Sequence, residues 1–94
     1  MSEKQEFVFD LSECYSPDDV HVLLAESLPL PEYYGGNLDA LHDVLSDPHP
    51  VWSFRFKGCK AAYPIVGSGF MKKFKRLMDA AVAEGNLEEV LWED

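Results

Sequence analysis

Along this 94-residue chain the spacing of apolar residues switches between a period near two and one near three and a half, and each switch marks an element. Phe7, Val8 and Phe9 form a brief apolar run that predicts a first strand ending at Asp10. Ser16-Pro17-Asp18-Asp19 then has the composition of a helix start, with Ser16 as the N-cap, Pro17 at the first helical position and two acids in the first turn. Val20, Leu23, Leu24 and Leu28 give that helix an inward stripe, and Pro29 forbids its continuation. His21 adjoins the stripe and reads as a surface or boundary histidine.

The stretch from Leu28 to Asp47 organises the rest. Its prolines hold the entry extended, and Gly35 and Gly36 release the backbone just before Asn37, whose side chain suits the N-cap of a helix beginning at Leu38. Leu38, Leu41 and Leu45 share one stripe of this helix with Val44 beside them, while Asp39, His42 and Asp43 share another. The first set goes inward and the second meets solvent or a partner. Asp39 suits the helix dipole, but Asp43 lies one turn from a like charge, at a cost of roughly 0.2 to 0.5 kcal/mol. Taken alone, that spacing favours an incidental pair on a solvated face over a site. Tyr33 and Tyr34 move the balance toward a protein interface, where aromatic anchors beside charges are common.

Beyond a rigid Asp47-Pro48-His49-Pro50 turn, Val51 to Phe56 alternates, with Trp52, Phe54 and Phe56 on one face and Val51, Ser53 and Arg55 on the other. That is a strand covered mainly on one side. Lys60 to Tyr63 suits a single helical turn before Pro64. A longer helix after Ser68 buries Phe70, Phe74, Leu77, Met78 and Ala81, turns Lys72, Lys73, Lys75 and Arg76 to solvent, and ends at Gly85. Glu84, the last residue before that stop, opposes the helix dipole and so invites another role. Leu87 to Trp92 supplies a last strand, with Glu93 and Asp94 as a frayed end. Helical connections between the three strands imply parallel pairing through right-handed crossovers, an α/β class.

Length and composition agree with one small domain: 47% of residues are hydrophobic and 13% aromatic, enough for a single modest core. The first residues have no signal-peptide pattern and no apolar run approaches membrane-spanning length, so a soluble, cytoplasmic chain is expected. Cys14 and Cys59 make no disulfide framework and stand in no Cys-x-x-Cys motif, so both are expected as reduced thiols. The net charge of -9 is concentrated in residues 1–56, which hold eleven acids against Lys4 and Arg55; residues 57–94 balance six of each sign. Such a field opposes a phosphate backbone, so direct nucleic-acid binding is not expected, and it steers a basic protein into contact.

Enzyme and metal chemistry find little support in the motifs. Neither cysteine has a sequence context that depresses its pKa or offers a base. Asp39, His42 and Asp43 match no recognised metal-binding spacing, which leaves a metal site as the least favoured class, and no cofactor is expected.

The run Leu30-Pro31-Glu32-Tyr33-Tyr34-Gly35, followed by Asn37-Leu38-Asp39-Ala40-Leu41 and Asp43, resembles the signature of the barstar family, intracellular protein inhibitors of secreted microbial ribonucleases. The resemblance implies a two-layer fold spanning residues 1–94, with a three-stranded parallel sheet in the order 1-2-3 packed against helices. It also implies a chain that is monomeric when free and forms a one-to-one complex with a basic ribonuclease, without catalysis. Carried over by position, Asp43 is the central anion with Asp39 beside it, and Tyr33 is a flat aromatic contact. Gly35, Gly36 and Asn37 form the adjoining loop, His42 sits within the face, and Glu84 adds a peripheral charge. The best-known members carry tryptophan where this chain has His42, glutamate where it has Gly36, and a second helix glutamate where it has Ala80. A rival reading keeps the same face but gives it a different protein partner.

Overall fold

The computed structural model describes residues 5–28, 36–46 and 51–93. Three strands, β1 (Gln5–Asp10), β2 (Trp52–Lys57) and β3 (Glu89–Trp92), pair in parallel in the order β1-β2-β3, as expected. Helices α1 (Pro17–Ser27), α2 (Leu38–Ser46), α3 (Cys59–Val66) and α4 (Ser68–Ala83) make the connections. The register aligns Phe9 with Phe56 and Phe56 with Trp92, so one face of the sheet carries a row of aromatic rings. Phe56 stacks on Phe9 at 5.2 Å and on Trp92 at 4.6 Å, and Phe74 of α4 meets Phe56 edge-on at 5.3 Å. Such ring pairs add to the area they bury.

The helices form as the sequence predicts at α1. Ser16 Oγ accepts the Asp19 amide at 3.3 Å, and Val20, Leu24 and Leu28 are buried with Leu23 packed beside them. His21 differs from expectation, being buried with its ring edge-on to Phe70 at 5.8 Å. Its position one residue after Val20 places it on the flank of the stripe, where α4 covers it.

In the second half of the chain the packing overrides local signals. The helix α3 runs through Pro64, past the single turn expected before it. Pro64 gives up one backbone bond to Lys60, but both residues are exposed, and Cys59, Ala62 and Val66 anchor the opposite side. Gly58 precedes it at φ 69°, with its missing Cβ 2.9 Å from Ser12 Cβ, so both its conformation and its space require glycine. The buried stripe of α4 is Met71, Phe74, Met78 and Ala81, with Phe70 and Leu77 only partly covered. That helix starts at Ser68 and ends with Glu84 as its C-cap. There the Gly85 and Asn86 amides reach back to the carbonyls of Val82 and Ala81 at 3.1 and 2.8 Å.

Two expectations about strands also change. Ser53, expected on the open side of β2, is buried, flanked in register by Glu6 and Glu89. β3 begins at Glu89, two residues later than expected, although Leu87 is buried. Glu93 is not frayed: its amide donates to the Phe56 carbonyl at 2.7 Å and its carbonyl accepts from Cys59 at 3.0 Å. Asp94, the Asp47–Pro50 turn and the Pro29 stop lie outside the described residues.

Candidate partner-binding face

The helix α2 is fixed at both its start and its underside. Asn37 Oδ1 accepts the Ala40 amide at 2.8 Å, the expected N-cap, and Gly36 precedes it at φ 66°. Leu41 and Leu45 are fully buried and Leu38 packs against the same core, so the outward stripe has little freedom to turn. Asp39 and Asp43 are exposed on it and His42 is half-buried between them. Neither aspartate has an ion pair or a side-chain hydrogen bond among the described residues. Two carboxylates one turn apart on an anchored, capped helix form a pre-ordered anionic edge, and pre-ordered groups lose less entropy on binding.

The C-terminal end of α4 meets this edge. Glu84 Oε2 lies 3.7 Å from His42 Nε2, which brings Glu84 to the same face. The Asn86 side chain donates to that carboxylate oxygen at 3.3 Å, a contact the sequence reading missed. The only local hint was its place after the Gly85 stop. Of the residues expected at the face, Gly36, Asn37, Asp39, His42, Asp43 and Glu84 are described; Tyr33 and Gly35 lie outside the described residues, as does Tyr34.

Beside Asp39 opens a groove of about 590 Å³ between the starts of α1, α2 and α4, which the sequence did not reveal. Its walls mix signs, being lined by Asp18, Asp39 and Lys73, and the buried His21 stands beside Phe70. Burial pushes the His21 imidazole below its ordinary value of 6.5, with nearby Asp18 acting the other way. Among the described residues no three His, Cys, Asp or Glu side chains gather to hold a metal ion. Cys14 and Cys59 are buried thiols with no disulfide between them, and burial pushes the Cys14 thiol up, away from a reactive thiolate.

The family model described as Barstar (barnase inhibitor) matches residues 4–63, nearly two thirds of the 94 positions. The chain belongs to the barstar family. The match takes in β1, α1, α2 and β2, and so covers the anionic edge itself. A comparison with curated proteins finds no match. The barstar assignment agrees with the three-stranded parallel sheet and the α-helices α1 to α4 of the described residues. Among the described residues, no helix is long and apolar enough to cross a membrane.

Proposed function

We propose that this barstar-family chain inhibits a small, basic, secreted ribonuclease by plugging its active-site cleft, one chain per enzyme. A ribonuclease binds phosphates, so its cleft presents cations, and carboxylates on a rigid helix take the place of the RNA there. Asp43 is the central anion, Asp39 its neighbour, Gly35, Gly36 and Asn37 the loop laid against the enzyme, and Tyr33 an aromatic contact. The chain acts by occlusion and catalyses nothing. The observation that carries this reading is the pair of exposed carboxylates, unpartnered among the described residues, on a capped and buried-side-anchored α2, in a family described as barnase inhibitor.

Gly36, His42 and Ala80 favour a second reading. They replace the glutamates and tryptophan of the best-known members, so the same face can serve a partner of another kind. Titrating the chain into RNA-hydrolysis assays of several small basic ribonucleases separates the two. Inhibition that saturates at one chain per enzyme and fades as salt rises supports the first. Full activity of every such enzyme, with capture of a non-nuclease protein through α2, supports the second.

A further inference from the structure

A titratable contact crosses the proposed docking face. His42 Nε2 on α2 lies 3.7 Å from Glu84 Oε2 at the end of α4, and the two side chains are 45% and 49% exposed. Along α2, His42 is flanked by Asp39 one turn before it and Asp43 directly after it. From α4, Glu84 faces it, while Lys73 lines the groove that Asp39 also lines. Among the described residues, the charged groups named around this imidazole are therefore chiefly carboxylates, and one of them lies at the end of a different helix.

We propose that His42 and Glu84 form a pH-operated gate on the docking face: protonated His42 holds Glu84 within the chain, and neutral His42 releases it to a cation of the partner. This rests on the reading of α2 as the docking edge. A neutral imidazole offers Glu84 no charge, and 3.7 Å is too long for a hydrogen bond, so among the described residues only Asn86 then restrains the carboxylate. Protonation makes the same contact an ion pair. It also places a positive charge between Asp39 and Asp43. Both changes weaken attraction to a positively lined cleft. Docking is thus strong where His42 is neutral and weaker where it is protonated. A bound cationic partner in turn disfavours protonation of His42, since linkage is reciprocal.

Two measurements test the gate. In the free chain, the NMR resonance of the Glu84 carboxylate carbon is followed beside those of the His42 ring between about pH 5.5 and 8. It moves in step with the ring in the wild-type chain and loses that component in His42→Asn; identical Glu84 curves in the two chains overturn the proposal. With a ribonuclease that the chain inhibits, calorimetric affinity at constant ionic strength falls on the order of threefold to tenfold from about pH 7.5 to 5.5. His42→Asn flattens that dependence and Glu84→Gln reduces it, and an equal slope in all three chains overturns the gate. If no ribonuclease binds at either pH, the inhibitor reading fails, and the free-chain titration alone decides whether His42 controls Glu84.

Discussion

Arg55, in the middle of the sheet's outer face, has Glu93 at 3.1 Å and Glu6 at 4.0 Å, while Asp39 and Asp43 on α2 have no such counterpart among the described residues. The two faces are built from similar materials. Around Arg55 stand the exposed side chains of Val8 and Leu91, its register neighbours on β1 and β3. There the charges close on one another across adjacent strands, and their work is local. On α2 the charges are held in place by a cap and by Leu41 and Leu45, yet are left open to the outside. Exposed surface ion pairs contribute little to stability, so the sheet face gains little from its pairing. The α2 face accepts the small cost of two like charges a turn apart. The difference teaches where to look for a partner: at charges the fold orders without neutralising.

The comparison breaks most severely if the ordering of α2 is removed. Leu41→Ala leaves a cavity under the helix and lowers unfolding stability by about 2 to 5 kcal/mol in urea titrations. Next in size is Asp43→Ala, which leaves the thermal midpoint nearly unchanged and weakens a cognate ribonuclease complex by about thirtyfold or more in calorimetry. The rank given to Asp43 is that of the matching aspartate in barstar itself, and Asp39→Ala has the smaller effect. The buried His21 gives an effect on stability alone. Its folded-state pKa is depressed, so the unfolded chain takes up the proton first as pH falls below the ordinary 6.5. Stability is therefore full above that value and declines as pH drops through it toward the lowered one. Urea unfolding at several pH values shows this decline in the wild-type chain and a shallower one in His21→Leu. Smallest of all, Glu93→Gln changes stability by no more than about 1 kcal/mol and leaves ribonuclease affinity untouched, as expected of a charge whose work is internal.

Much of the fold was legible because its signals are local and agree with one another. Ser16 and Asn37 cap the helices they were expected to cap, and the alternation of β2 predicted its aromatic face. The failures fall where tertiary contacts outweigh local preference. A proline does not end α3, because Cys59, Ala62 and Val66 are buried on its other side. His21 looked like a boundary residue only because nothing in sequence says that Phe70 will arrive beside it. Met71 was missed in favour of the larger Phe70, though spacing alone puts Met71 in line with Phe74 and Met78. The helical spacing of Asp39, His42 and Asp43 showed that they share a stripe, but alone it favoured an incidental pair; the family resemblance made the stripe a candidate site. Its contact with Glu84 was not legible, since His42 and Glu84, 42 positions apart, meet there only through the fold.

The central claim concerns which face docks, and amide chemical shifts of the labelled chain read it residue by residue as a basic ribonuclease is added. The account predicts that the amides of Leu38 to Ser46 and of Glu84 move, saturating at one equivalent, while those of Val8, Arg55 and Leu91 stay in place. Movement centred on Val8, Arg55 and Leu91 with α2 unaffected would contradict it.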